Sequence, residues 1–204
     1  MKYPSTISNL IECFKKLPGI GEKTAERLAL SILDMDDSII ELFAKSLNDV
    51  KIKIKRCNIC NHLSENDVCE ICKNKDRNNK VICVVEEPKN VILFEKLNIF
   101  DGYYHVLDGL ISPMDGINPE DINIESLINR VKENKIEELI LALKPSIEGE
   151  TTSLYISKLL EKESVKITKI AYGIPMGAEM DYVDSLTLEL ALENRMNIST
   201  NKNS

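Results

Sequence analysis

Apolar residues along this chain keep a helical period at first and a strand-like one later. Ile7, Leu10, Ile11 and Phe14 recur three and four apart, the spacing of one helix face. Pro18-Gly19-Ile20-Gly21 interrupts, and helical spacing resumes from Thr24 to Leu33. Asp36 or Asp37 then offers a cap to a third helix, with Ile39, Ile40, Leu42, Phe43 and Leu47 on one face. A cysteine-bearing loop follows, and the polar stretch Lys73–Lys80 reads as a linker. From Val81 the pattern changes. Val81-Ile82-Cys83-Val84-Val85 is a short continuous apolar run, the mark of a strand covered on both faces. Val91–Leu97 then reads as helix, Tyr103–Leu107 as strand, Ile124–Glu133 as helix and Leu139–Leu143 as strand. Thr151–Leu160 reads as helix and Val165–Ile170 as strand. Such alternation predicts a mostly parallel sheet with crossover helices. A last helix is expected at about Asp181–Arg195, and the polar run Asn197–Ser204 reads as a disordered tail. The expected class is multi-domain, α plus α/β. Its parts are a helical region over 1–56, a cysteine loop over 57–72, an α/β domain over 80–175, a helical segment over 176–196 and a tail over 197–204.

The length of 204 residues allows one large domain or two to three small ones. No apolar run approaches the ~20 residues that a membrane span needs. The polar, Ser/Thr-containing start after Met1 lacks a secretion signature, which predicts a cytoplasmic protein. Net charge is −7, at first sight unsuited to a nucleic acid. The charge is uneven, however. The first 80 residues carry 14 Lys/Arg against 12 Asp/Glu, and the remainder carries 12 against 21. A polyanion is therefore expected to meet the N-terminal part first, while the acidic remainder weakens loose binding.

Four cysteines form two C-x-x-C pairs, Cys57/Cys60 and Cys69/Cys72. Two short chelating knuckles joined by a tight loop suit one Zn²⁺ held by four thiolates, a closed site with no position for substrate. Two disulfides, or four unrelated thiols, are the alternatives. A cytosolic setting favours the metal. Cys13 and Cys83 lie among apolar residues and are expected as buried free thiols.

Leu17-Pro18-Gly19-Ile20-Gly21 makes a tight turn into a helix N-terminus, where free backbone N–H groups point outward at a phosphate. Lys23 and Arg27, one turn apart on that helix, are placed to neutralise neighbouring phosphates. The pattern resembles the helix-hairpin-helix motif of DNA-binding proteins that read backbone rather than bases. A plain αα-hairpin serving only for packing is the alternative. Acidic residues cluster after the strands: Glu86 and Glu87 after the first, Glu148 and Glu150 after Leu139–Leu143. Strand ends converge in a parallel sheet, so Glu86, Glu148 and Glu150 are candidates for Mg²⁺ and for phosphoryl transfer. Alternatively, Glu148 and Glu150 simply begin a helix. His105 reads as a packed core residue. The turn-rich stretches 105–116 and 172–179 are noted without a mechanism.

The order of parts resembles the bacterial RecR recombination mediator family over essentially the whole chain to about Arg195. The resemblance rests on residues 17–21, the cysteine quartet, Val84-Val85-Glu86-Glu87-Pro88, Tyr104–Leu107 with Gly109–Pro113, Glu148-Gly149-Glu150-Thr152, and Gly173-Ile174-Pro175 with Asp181–Asp184. It implies that residues 80–175 are a Toprim domain, the module of topoisomerases and primases. There a Glu after the first strand and an Asp-x-Asp pair hold Mg²⁺. Here Glu86 matches the first, and Glu148-x-Glu150 stands where the pair would be. The resemblance further implies a non-enzymatic role in recombinational DNA repair. This comprises one structural zinc on Cys57, Cys60, Cys69 and Cys72, and DNA contact through Gly19, Gly21, Lys23 and Arg27. It also comprises dimeric or tetrameric rings around single- or double-stranded DNA, and work with RecO and RecF to help RecA load, in association with the nucleoid. The alternative is a Mg²⁺-dependent nuclease or primase-like enzyme. Lys144, Asp108 and Ala178 depart from the family's usual Asn, Gly and Gly.

Overall fold

The computed structural model describes residues 3–171 and 173–195. They divide into two compact units, one ending at Ile54 and one beginning at Lys55. Tyr172 and the expected tail, Asn197–Ser204, lie outside the described residues.

The first unit is helical. Helix α1 (Ser5–Lys15) and helix α2 (Glu22–Ser31) pack through Ile11, Ala25 and Ala29, with Ile7, Leu10, Phe14 and Ile20 around them. Two alanines on α2 let the helix axes approach. The turn between them needs Gly19, whose φ of +78° is a left-handed conformation that L side chains rarely adopt. The expected run to Leu33 ends instead in a 3₁₀ turn, Ile32–Asp34. Helix α3 (Asp37–Lys53) carries its predicted apolar positions but buries no side chain among the described residues. Leu42 is 65% exposed and Leu47 61%. Cys13 is exposed rather than buried, because it lies two positions, about half a turn, beyond Ile11 on α1.

The second unit opens with a short antiparallel pair, β1 (Lys55–Arg56) and β2 (Leu63–Ser64), then the one-turn helix α4 (Glu70–Lys73). After it come β3 (Asn78–Val85), α5 (Pro88–Leu97), β4 (Gly102–Val106), α6 (Ile124–Asn134), β5 (Glu138–Ala142), α7 (Ile147–Leu159) and β6 (Lys166–Lys169). The four long strands form one all-parallel sheet in the order β4-β3-β5-β6. The expected linker is therefore strand from Asn78 onward, because Asn78 already pairs with Gly102. A 3₁₀ turn at Met180–Tyr182 precedes a last helix, α8 (Ser185–Glu193), shorter than expected.

Both faces of β3 are buried, as its unbroken apolar run requires. Ile82 and Val84 face a core with Leu139, Leu141, Leu127 and Ile156, whereas Cys83 and Val85 face Val91, Tyr104 and Val106. Arg77 ties the start of β3 to the second face. It grips Glu95 of α5 with both guanidinium arms (2.9 and 2.8 Å) and donates to the Gly102 and Phe100 carbonyls. Its guanidinium lies 5.6 Å over the Tyr104 ring, and the Tyr104 hydroxyl also donates to Glu95. His105 is a core residue as expected. Its Nε2 donates to the Asn123 carbonyl (2.9 Å), while Nδ1 is buried with no hydrogen-bond partner.

Burial pushes the His105 imidazole down to about 4 from its usual 6.5. Between these values the unfolded chain binds the proton and the folded chain does not, so stability falls as pH drops from about 6.5 toward 4. The gap corresponds to about 3 kcal/mol at most. Urea midpoints measured at several pH values are expected to flatten across this window in His105→Gln. An unchanged acid slope in that variant would assign the loss to other groups.

Candidate functional site

The four paired cysteines come together at one point. Their sulfurs all lie within 4.8 Å of one another, with Cys57, Cys60 and Cys69 buried. β1 and β2 position the first knuckle: the Cys57 N–H donates to the His62 carbonyl and the Asn61 N–H to the Cys57 carbonyl, with Asn61 in a left-handed turn at φ 60°. The second knuckle caps α4. The Cys72 N–H donates to the Cys69 sulfur (3.5 Å) and the Cys69 N–H to the Cys57 sulfur (3.3 Å). Cys60 and Cys69 sulfurs stand 3.6 Å apart, near the ~3.8 Å edge of a tetrahedron with Zn–S bonds of about 2.3 Å. All four are free thiols rather than disulfides. Their crowding splits their acidities. Hydrogen bonding from Cys60 and Cys72 holds Cys69 far below the usual thiol range, and hydrogen bonding with Cys69 pushes Cys60 up to about 12. Four sulfurs this close to one another, none of them in a disulfide, match the donor set and spacing of one tetrathiolate zinc.

The knuckle is joined to the open edge of the sheet. The Val106 N–H donates to the Cys60 carbonyl (2.9 Å), and the Asn61 side chain donates to the Val106 carbonyl (3.1 Å). Arg56 reaches Asp108 at 2.8 Å, and the Asp108 N–H donates to the Glu86 carbonyl. Asp108 adopts φ 68°, a left-handed conformation in which a glycine would be unstrained; its carboxylate gains Arg56 as a partner. Sequence reading found the cysteines but not Arg56, Asn61 or Arg77. Each acts across a separation that local patterns do not report.

At the hairpin, Gly21 caps α2 without any side-chain hydrogen bond, and Ala25 is the first residue to bond back, to the Gly21 carbonyl (2.9 Å). The N–H groups of Glu22, Lys23 and Thr24 thus have no partner within the helix. Gly19, Gly21, Lys23 and Arg27 are all exposed, and neither cation forms an ion pair among the described residues. Glu22 would oppose an anion here, but Lys15 holds it at 2.6 Å while also bonding Glu12. Lys15 belongs to this surface, and sequence reading passed over it.

The acidic residues are dispersed. The chain leaves β3 for β4 on one side and returns to β5 on the other, so a switch point opens between the carboxyl ends of β3 and β5. A cavity of about 450 Å³ lies there, lined by Glu86, Glu87, Lys89, Asn90, Lys144 and Ile170 among others. Glu148 and Glu150 do not line it. Glu148 sits in the first turn of α7, where hydrogen bonding with Ser146 holds its carboxyl below the usual range. Glu150 pairs with Lys169 at 3.1 Å. Gly149 between them is buried, and a Cβ there would meet the Lys144 carbonyl oxygen at 1.9 Å. The Glu-Gly-Glu spacing therefore serves a helix start pressed against the loop after β5. Among the described residues, the cysteine quartet is the one group of three or more metal-capable side chains close enough to share an ion.

Comparison with known proteins finds the same order of parts. Residues 7–51 match the family described as RecR, helix-hairpin-helix, and residues 54–74 match the RecR four-cysteine zinc finger domain. Residues 80–171 match the Toprim domain and 173–196 match RecR, C-terminal. Recombination protein RecR of Staphylococcus aureus (strain JH9) is 52% identical over 195 residues, which are 96% of this chain and 98% of that protein. Recombination protein RecR of Staphylococcus haemolyticus (strain JCSC1435) is 51% identical over the same shares.

Two outcomes test this site. Cys60→Ser is expected to lower bound zinc from one per chain to near zero by atomic spectroscopy and to lower the melting temperature. Full zinc content in that variant would remove Cys60 from the ligand set. Gly149→Ala is expected to cost about 2 kcal/mol or more in urea unfolding, since the added methyl meets backbone rather than a movable side chain. A neutral substitution would show that the α7 start can shift.

Proposed function

The chain belongs to the RecR family of recombination proteins, and from that premise we propose that it acts without catalysis, as an oligomeric clamp on DNA in recombinational repair. The observation that carries this reading is the bare N-terminus of α2 beside two unpaired cations, Lys23 and Arg27. Backbone N–H groups and lysine or arginine side chains bind phosphates without reading sequence, as a protein loaded anywhere on a genome requires. One structural zinc on Cys57, Cys60, Cys69 and Cys72 holds the adjoining loop.

Oligomerisation is supported by α3, whose apolar stripe of Ile39, Leu42, Phe43 and Leu47 is exposed and suits a second copy of the chain. The crevice at Glu86 and Glu87 receives a protein rather than DNA. Its rim sets Glu86 and Glu87 beside Lys89 and Lys144, a mixed charge that suits a complementary protein surface, which the family resemblance assigns to RecO, with RecF and RecA as further partners. A cytoplasmic, nucleoid-associated location belongs to the same reading and rests on the family alone; separately, no helix among the described residues is long and apolar enough to cross a membrane.

Labelled single-stranded and duplex DNA incubated with the protein and Mg²⁺, then run on native and denaturing gels, tests the whole reading. A band shifted at low salt with intact DNA is expected. Lys23→Ala with Arg27→Ala is expected to weaken binding regardless of sequence and to flatten the salt dependence by about two units, roughly one per lost phosphate contact. Unchanged affinity and slope would remove the hairpin from the DNA site. Cleaved or extended DNA, lost in Glu148→Gln, would make the protein an enzyme instead.

A further inference from the structure

At the end of the sheet opposite Glu86, a cavity of about 260 Å³ opens between the zinc loop and α6. Its walls include Ile59 and Cys72 of the loop, Asn79 of β3, Tyr103 of β4, and Arg130 and Asn134 of α6. No carboxylate lines it. Arg130 is half-buried and has no acidic partner among the described residues. Its Nη1 donates to the Tyr104 carbonyl (2.6 Å), and its guanidinium lies over the Tyr103 ring, 5.8 Å from the centroid. The cavity thus contains an aromatic ring with a guanidinium held within cation–π range of it. Asn134 spends its N–H on the Arg130 carbonyl (2.9 Å), which leaves its amide oxygen as an acceptor, and the Asn79 amide makes no hydrogen bond among the described residues.

The rim carries an exposed lysine. The Tyr103 hydroxyl donates to the Asn74 carbonyl (2.7 Å), which holds the segment after α4 against the mouth. Of that segment's cations, Lys73 pairs with Glu70, Arg77 with Glu95 and Lys80 with Glu137, while Lys75 is exposed with no ion pair among the described residues. We propose that this cavity takes one unstacked base of single-stranded DNA, with the neighbouring phosphates along the Lys75 segment. The inference rests on the DNA-binding reading above and extends it to a second contact. An aromatic platform accepts any base, because every base presents a π-face, and the two asparagine amides offer a donor and an acceptor to base edges. The volume lies below the ~300–1,000 Å³ of sites for drug-sized ligands and suits a single ring system. A free anion is a poorer occupant. Cys72 forms part of the wall, and four thiolates around one Zn²⁺ leave about two negative charges there.

The test uses the full-length zinc protein and oligonucleotides carrying the fluorescent base aminopurine, whose emission falls when it stacks. Wild-type protein is expected to quench it on binding single strands. Arg130→Gln is expected to abolish the quench and weaken single-strand affinity about fivefold or more, with duplex affinity unchanged. Asn79→Ala, which alters an exposed side chain without hydrogen bonds, is expected to reduce the quench, and it decides the matter if Arg130→Gln loses zinc. Quench and affinity equal to wild type in both variants would overturn the base pocket while leaving the hairpin reading intact. Equal losses on single strands and duplex would overturn it too, by making Arg130 a phosphate contact. No DNA binding by the wild-type protein would overturn both the pocket and the reading beneath it.

Discussion

Residues 57–72 contain few apolar side chains to bury: Val68 and Ile71 lean on the cysteines themselves, and Ile71 also touches the core around Tyr104. A segment so short and polar cannot offset its own ordering entropy by hydrophobic burial. What holds it is the convergence of four sulfurs on one cation, a bond set worth on the order of 10–16 kcal/mol in small zinc modules. Much else follows from that constraint. The knuckle presents Cys60 and Asn61 to β4, Arg56 to Asp108, and one wall of the cavity at Arg130. Through the Asp108 N–H it also reaches the carbonyl of Glu86, so metal site and crevice rim are two hydrogen-bonded steps apart.

Periodicity made the central elements legible. The unbroken run Val81–Val85 could only be a doubly covered strand, and the apolar spacing of α6 matches a helix that buries Ile124, Leu127, Ile128 and Val131. The cysteine quartet was legible because its ligand spacing is local. Two kinds of feature were not. Asn78–Lys80 is strand despite its polarity, because backbone pairing to β4 needs no apolar side chain at a frayed, exposed end. Arg77, Arg56 and Asn61 act on residues that are close only once the sheet has formed, and nothing in their neighbours along the chain marks them.

The acidic residues show how a motif can carry two meanings. Glu-x-Glu after a parallel strand suggests ligands, yet the intervening Gly149 is required by a carbonyl oxygen, and the flanking carboxylates are engaged by Ser146 and Lys169. Only Glu86 and Glu87 remain at the switch point, with Lys89 and Lys144 among them. Such mixed charge favours a complementary protein surface over a desolvated ion. The hairpin, by contrast, retains unpaired donors and cations on an exposed turn. Unpaired donors and mixed charge thus fall in different units of the chain.

The contact between Cys60, Asn61 and Val106 bears on solubility as well. A strand at the border of a parallel sheet presents unpaired amides that template other chains, and natural sheets blunt such borders. Here both backbone groups of Val106 are occupied by the knuckle, so the thiolate cluster also closes the rim of the sheet at the end of β4. Stripping the metal would therefore unmask a sticky border as well as loosening a loop.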